Sequence, residues 1–242
     1  MKIVLLKLIL AHILGDFFLQ PQKWVKDKEK KKLKSKWLYI HVAVHLVLMF
    51  VLVWDLSYWS LTLGIGVAHL IIDSLKLMLQ KKKTRRLYFL LDQLLHFAVI
   101  FLLAFLYANN SDHTNFKFDF SLNSQTLLLL ICLIFLTKPV SILMKIIFSK
   151  WDISKLTKDN ESLEDAGKYI GVLERLLVFI FIITGHWEAV GFLITAKSVF
   201  RFGDLTASKE RKLTEYILIG TLISFGIAIV ISLLYLNFKT YV

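Results

Sequence analysis

Long apolar blocks separated by short basic stretches constrain this chain more than any other feature of its sequence. Blocks of about 20 apolar residues are long enough to span a bilayer as helices. Eight blocks lie at approximately 2–20, 37–54, 58–80, 87–107, 125–148, 168–185, 188–202 and 213–236. Hydrophobic residues make up 57% of the chain, against about 45–50% in soluble domains. The sequence therefore predicts an all-α fold, a polytopic transmembrane helical bundle of about seven or eight membrane segments.

Two of these blocks are not expected to cross the membrane as single straight helices. The block at 188–202 is short, which predicts a tilted or re-entrant helix. Pro139 lies within the fifth block and predicts a kink or a break there. We expect three regions along the chain: a four-helix membrane domain over 1–110, an outer loop over 111–124 and a C-terminal membrane helical domain over 125–242.

Lysine and arginine are distributed asymmetrically between the blocks. Alternate connections are basic, near 21–36, 81–86, 150–168 and 201–212, whereas the connections between them hold almost no lysine or arginine. Because cytoplasmic loops carry this excess, the basic stretches are predicted to face the cytoplasm. The run at 26–32 is interpreted as a solvated loop, with binding to membrane lipid headgroups or to a partner as the alternative.

The net charge of +12 is explained by these loops. Loops this short, close to a bilayer, give poor access to a duplex, so no nucleic-acid partner is expected. The single cysteine, Cys132, lies within an apolar block. It can form no intramolecular disulfide and no thiolate metal site.

Each of the first four blocks carries one pair of potential metal ligands spaced four residues apart. The pairs are His12 with Asp16, His41 with His45, His69 with Asp73, and Asp92 with His96. Residues four apart share one face of a helix. Ionisable groups inside membrane helices are costly, and their usual explanation is functional.

The order of histidine and aspartate reverses where the chain reverses its direction. The first and third helices read His then Asp, and the fourth, which runs the opposite way, reads Asp then His. This order predicts two stacked layers about 6 Å apart. The layer nearer the cytoplasm holds Asp16, Asp73, Asp92 and His41, and the deeper layer holds His12, His69, His96 and His45.

These layers predict a bound divalent metal, one or two ions. Imidazole and carboxylate together suit zinc, manganese or iron, and zinc is the first expectation. Three carboxylates beside neutral imidazoles carry a formal charge of −3, which divalent ions would largely offset. Gln20 and Gln93 are predicted to donate hydrogen bonds to the ligands or, alternatively, between helices.

The C-terminal half also carries charge within its apolar blocks. The charged residues are Glu174, Arg175, Lys197 and Arg201. One interpretation pairs Glu174 with Lys197 as a structural ion pair and extends Arg201 to the interface. The other is a cationic clamp, in which the three basic residues hold an anionic group of a substrate.

Three motifs in the first half resemble a known family. They are Ala-His-Ile-Leu-Gly-Asp-Phe-Phe-Leu-Gln at 11–20, Gly-Val-Ala-His-Leu-Ile-Ile-Asp at 66–73 and Leu-Asp-Gln-Leu-Leu-His at 91–96. Over roughly 1–110 the chain resembles the bacterial membrane family called domain of unknown function 3307. The resemblance implies a multi-pass protein of the bacterial cytoplasmic membrane and supplies no activity. A more distant likeness is to membrane-bound metal-dependent hydrolases.

Three functions fit this pattern. The first is a metal-dependent hydrolase that acts on an anionic or lipid-linked substrate at the cytoplasmic side, with metal-bound water as the nucleophile. The second is a non-catalytic sensor or scaffold stabilised by metal. The third, a cation or proton transporter, is disfavoured because the polar residues occupy only the cytoplasmic third of the predicted bundle.

Overall fold

A computed structural model describes residues 2–110, 123–149, 166–202 and 208–242. The described residues are predominantly helical and contain no β-strand. Their α-helices are α1 (Lys2–Ile13), α2 (Gln22–Lys31), α3 (Lys36–Val53), α4 (Trp59–Leu79), α5 (Arg85–Asn110), α6 (Ser124–Leu136), α7 (Lys138–Phe148), α8 (Ala166–Ile183), α9 (Trp187–Phe202) and α10 (Ser208–Phe238). The chain divides into two compact units, residues 1–127 with Val242 and residues 128–241.

Several helices have the length and composition to cross a membrane. Five stretches qualify: Lys36–Val53, Leu56–Leu79, Arg85–Asn109, Ser124–Phe148 and Thr214–Phe238. A sixth is added if Lys2–Phe18 and Gln22–Lys34, which are bent by 83°, form one broken span. The expected membrane-spanning character therefore holds for five or six helices.

The first unit is a bundle of four long helices. α1 packs against α3 and α5, and α4 packs against the same two helices, so the four close into a ring. One end of the ring is filled by apolar side chains, namely Leu8, Ala11, Met49, Val53, Leu61, Ile65 and Ile100. The paired polar residues follow these positions in α1 and α4 and precede them in α3 and α5. They therefore lie together toward the other end of the bundle.

A helix occupies the run at 26–32, so the prediction of a solvated loop there is wrong. α2 forms because lysine and glutamate favour helix once contacts hold them in place. Lys28 is only 5% exposed, and its ammonium donates to Asp73 of α4. Lys32 donates to the carbonyl of Leu77, at the end of the same helix. The composition of the run predicted a solvated loop because the acceptors of Lys28 and Lys32 lie on α4, which is distant in the sequence and cannot be recognised from local composition.

The second unit contains a broken helix. α6 ends at Leu136 and α7 begins at Lys138, so the break predicted from Pro139 is present. Arg175 of α8 is 3% exposed and fills this break. Its guanidinium donates to the carbonyls of Leu136 at 2.7 Å and Thr137 at 3.3 Å. Two hydroxyls, those of Ser141 and Ser224, accept its remaining hydrogen bonds at 2.8 and 3.2 Å.

Candidate metal centre

Four histidines, one from each long helix of the first unit, form a contiguous cluster. They are His12 of α1, His45 of α3, His69 of α4 and His96 of α5, each 2–3% exposed. Ring centroids lie 4.0 Å apart for His45 and His69, and 4.1 Å apart for His69 and His96. His12 stacks on His96 at 5.0 Å. The structure thus brings together the residues that the sequence assigns to the deeper layer.

Asp16 reaches this cluster from a π-helical turn at Leu14–Phe18, which continues α1. Its Oδ1 lies 3.0 Å from Nε2 of His45 and 3.1 Å from Nε2 of His41. The same oxygen is 3.7 Å from Nε2 of His69. Single π turns are frequent at functional sites because they change the direction of one side chain. Asp16 therefore contacts both predicted layers.

Gly15 permits the close approach of His45 to this turn. A Cβ built on Gly15 would lie 2.8 Å from Nδ1 of His45 and closer still to two other ring atoms. No side chain fits there without displacing the imidazole. Gly64 of α4 differs, because the nearest atom to its Cβ position is a methyl group of Leu103 at 3.8 Å.

We expect Gly15→Ala to weaken metal binding about 10-fold, since the displaced ring is a predicted ligand and even partners outside the ligand set contribute about 10–100-fold. Isothermal titration with zinc in detergent measures the effect. Gly64→Ala is the matched control and should bind as wild type does. Equal affinity of the two variants would show that His45 is not a ligand.

The remaining ligands predicted for the cytoplasmic layer lie beside Asp16. Nε2 of His41 is 3.2 Å from Nε2 of His69 and 3.9 Å from Oδ2 of Asp73. The amide nitrogen of Gln20 donates to His41 at 2.7 Å. All of these side chains come from the paired positions of α1, α3 and α4 or from the end of the first helix.

Gln93 and Asp92 complete the cluster from α5. The amide nitrogen of Gln93 donates to Asp16 at 2.8 Å and to Asp92 at 3.2 Å. Nδ1–H of His96 donates to the backbone carbonyl of Asp92 at 2.8 Å. Both glutamines predicted to support the ligands therefore touch residues of the cluster.

Two lysines, which the sequence analysis missed, pair with two of the three aspartates. Nζ of Lys28 lies 2.8 Å from Asp73, and Nζ of Lys76 lies 2.6 Å from Asp92. Lys76 follows Asp73 by three residues inside an apolar helix, and this spacing is a signal that could have revealed it. Lys28 shows no such spacing, because it lies on α2 whereas its partner Asp73 lies on α4.

Several ring nitrogens in the cluster have no partner. Within the part of the chain that the structure describes, neither nitrogen of His12 has a hydrogen-bond partner, nor has Nε2 of His96. The nearest carboxylate oxygen to Nε2 of His12 belongs to Asp16, at 3.8 Å. Buried polar atoms without partners are rare and call for an explanation. A metal ion bound at one nitrogen of His12 would satisfy that atom.

Three sets of ligand atoms among the described residues are close enough to share an ion. Within each set the atoms lie within 4.8 Å of one another. The sets are His12, Asp16, His45 and His69; His41, His69 and Asp73; and Asp16, Asp92 and His96. The first set supplies three imidazoles and one carboxylate, a donor set that suits zinc.

A small pocket lies beside the histidines. Its polar wall is formed by the four histidine rings of the cluster, and its other walls are apolar, with Met49, Ile65 and Ile100 among them. It has room for about one water molecule. A ligand in this pocket would contact the metal ligands from the side of the apolar core.

Where the structure describes them, the charged side chains of the C-terminal half form ion pairs or hydrogen bonds with other protein groups. Nζ of Lys197 lies 2.6 Å from Oε2 of Glu174. Arg175 donates to the carbonyls and hydroxyls around the break between α6 and α7. The side chain of Arg201 lies outside the described residues. The cationic clamp stays a prediction, although Arg175 already donates to four protein acceptors.

Comparison with known proteins identifies a family and nothing more specific. The family model described as "Protein of unknown function (DUF3307)" matches residues 4–125, which include all eight predicted metal ligands. Comparison with the curated proteins and with the solved structures finds no match. The resemblance seen in the three motifs is thereby confirmed, and the likeness to metal-dependent hydrolases stays a prediction. The chain belongs to the DUF3307 family.

Proposed function

We propose that this protein is a membrane-embedded metal-binding protein whose centre is built around Asp16. The observation that carries the proposal is His12, whose two buried ring nitrogens lack partners beside Asp16, His45 and His69. An unpaired imidazole in an apolar bundle is costly, and metal coordination offsets that cost. Zinc is the ion that best fits three imidazoles and one carboxylate, with manganese or iron as alternatives.

The spacing of the ligand atoms supports this proposal. Ligands at about 2.0–2.1 Å from a tetrahedral zinc ion lie about 3.3 Å from one another. The distances from Asp16 to His45, His69 and His12 are 3.0, 3.7 and 3.8 Å. Small side-chain rotations bring such atoms to coordination distance. A hydrogen bond from Gln93 to Oδ2 of Asp16 holds the carboxylate in its orientation.

The test is the metal content of the purified protein in detergent, measured by elemental mass spectrometry. We expect about one equivalent of zinc, manganese or iron in wild type and its loss in His12→Asn. His186→Asn is the matched control, because His186 is exposed, its ring lies against Glu188, and it is not among the predicted ligands. An absence of metal in wild type, even after loading with all three ions, would rule out the proposal.

The chemistry that this centre supports best is hydrolysis of an anionic or lipid-linked substrate at the cytoplasmic side. A bound divalent ion lowers the pKa of a coordinated water and so supplies a nucleophile. The pocket beside the histidines provides space for a water molecule. His96 lies outside the first ligand set, and its Nδ1–H is fixed by the Asp92 carbonyl. Its free Nε2 is therefore positioned to accept a proton as general base.

Charge favours an anion as substrate, and the membrane setting favours an amphiphilic one. Three carboxylates and two paired lysines give the centre a formal charge of −1 with neutral imidazoles. One divalent ion raises it to +1, which attracts an anionic group such as a phosphoester. The surrounding bilayer would hold the hydrocarbon chain of a lipid-linked substrate. Zinc-loaded and chelator-stripped protein should therefore differ in turnover of fluorescent lipid phosphoesters, and equal rates would exclude metal-dependent hydrolysis of these substrates.

A structural metal is the second candidate function. It is favoured by the first ligand set, because His12, Asp16, His45 and His69 complete a four-coordinate ion without water. The protein would then be a metal-stabilised sensor or scaffold. Chelation separates the two functions: a structural site loses helicity with its metal, whereas a catalytic site loses turnover and keeps its fold.

The membrane topology is part of the same proposal. We infer that seven or eight segments associate with the bilayer of the bacterial cytoplasmic membrane, with α8 and α9 added to the five or six qualifying helices. Lipid is then the partner of the exposed apolar side chains, and the basic stretches face the cytoplasm. Cysteine labelling in a Cys132→Ser background tests this orientation. A cysteine at position 26 should be protected from outside reagent, whereas one at position 56 should react.

A further inference from the structure

The three aspartates of the centre differ in their cationic partners. Asp73 accepts from Lys28 at 2.8 Å, and Asp92 accepts from Lys76 at 2.6 Å. Lys28 and Asp73 have side chains only 6% and 7% exposed, so the pair is shielded from water. Among the described residues, Asp16 has no lysine or arginine within ion-pair distance, and its contacts are to imidazoles and Gln93.

The aspartates with lysine partners belong to ligand sets that could take a further ion. Asp73 lies with His41 and His69, and Asp92 lies with Asp16 and His96, each within 4.8 Å. Each of these sets shares one residue with the first set, His69 or Asp16, and offers two further donors for a second divalent ion beside the first. Two-metal centres hold their ions about 3.5–4 Å apart, a separation that a cluster of this size accommodates.

We propose that Lys28 and Lys76 determine the metal stoichiometry by taking the place of the second ion. Each ammonium donates to the Oδ2 of its aspartate and so neutralises the charge that would attract a second metal, although Oδ1 of Asp92 has no hydrogen-bond partner among the described residues. Each also repels a divalent ion in the low-dielectric interior, where like charges interact strongly. The inference rests on the proposed metal centre and adds to it that the centre binds one ion, at Asp16.

The first test uses wild-type protein alone. Zinc is titrated into metal-free protein in detergent, and binding is followed by calorimetry and elemental analysis. We expect saturation at one equivalent, with any second equivalent bound at least about 100-fold more weakly. Two equivalents of similar affinity would overturn the inference and leave the proposed metal centre intact. No binding at all would overturn both.

The second test removes the two ammonium groups. Lys28→Met combined with Lys76→Met keeps the apolar stems and frees both carboxylates. We expect this double variant to bind two equivalents of zinc or manganese, with the second bound at least about 100-fold more tightly than by wild type. Paired manganese ions at short distance also give an exchange-coupled paramagnetic resonance spectrum, which a single ion does not.

Two controls test whether the change in stoichiometry comes from the charge at the centre or from the net charge of the protein. Lys23→Met with Lys26→Met removes the same charge from exposed positions of α2 and should still bind one ion. Lys28→Arg with Lys76→Arg keeps the charge at the centre and should also bind one. A lysine-to-methionine variant that keeps its helicity and binds only one ion would overturn the inference. Should that variant not fold, the wild-type titration decides.

Discussion

Asp16→Asn is expected to weaken binding of a divalent metal by at least about 100-fold. Asn keeps the shape of the side chain but removes the charge of the one aspartate of the centre that has no lysine partner among the described residues. It also replaces an anionic ligand at a position that contacts His41 and His45. Losing a residue that binds the ion directly costs more than the roughly 10–100-fold that supporting residues contribute. Competition with a chelator of known affinity measures the change.

Asp55→Asn is the matched control for this substitution. Asp55 accepts a hydrogen bond from the backbone of Ser57, in the connection between α3 and α4 that leads away from the site. This variant should bind metal as wild type does. Retention of wild-type affinity by Asp16→Asn, in folded protein, would show that the ion is not centred on this carboxylate.

His96→Gln is expected to lower metal-dependent hydrolysis by about 10²–10⁴-fold, the usual contribution of a general base. The metal content should stay near one equivalent, because the first ligand set does not include His96. Glutamine retains a polar group of similar reach and cannot take the proton from water at neutral pH. Turnover of a lipid phosphoester and elemental analysis of the same preparation measure the two quantities.

Chemical rescue distinguishes a base from a packing residue. Added imidazole should restore part of the rate of His96→Ala, because a diffusible base can take the place of the missing side chain. Loss of metal in His96→Gln would contradict the assignment and place this histidine among the ligands.

The pairing of the histidines and aspartates was readable from the sequence because helix periodicity and chain direction are both local properties. Four-residue spacing sets a shared face, and alternating direction sets a common depth, so His12, His69 and His96 were assigned to one level from order alone. The structure places their rings in one cluster. No knowledge of interhelical contacts was needed for this step.

Other parts of the site depend on tertiary contacts and were not readable. The π turn that directs Asp16 has no sequence signature here, and the need for Gly15 appears only when His45 packs against it. Lys28 lies in a run whose composition predicts solvation, yet a bend of 83° brings α2 back over the bundle. In each case a contact between distant segments overrides the local pattern.

The charged residues of the C-terminal half illustrate the same limit. Pro139 predicted the break between α6 and α7 because proline cannot continue the hydrogen-bond ladder. The side chain that hydrogen-bonds the exposed carbonyls at this break could not be predicted. Arg175 is nearly 40 residues away, and its sequence position was equally consistent with a role in binding an anion. In the structure its guanidinium donates to Leu136 and Thr137 at the break.

This buried arginine also bears on how the second half enters a bilayer. An arginine in the middle of an isolated helix opposes transfer from the translocon into lipid. The carbonyls that accept from Arg175 belong to α6 and α7, which are synthesised earlier. If α8 is a membrane segment, as proposed, it would insert most favourably when α6 and α7 are already in the bilayer beside it. The order of helices along the chain would thus let an early segment receive a later one, and insertion of this half would be cooperative rather than helix by helix.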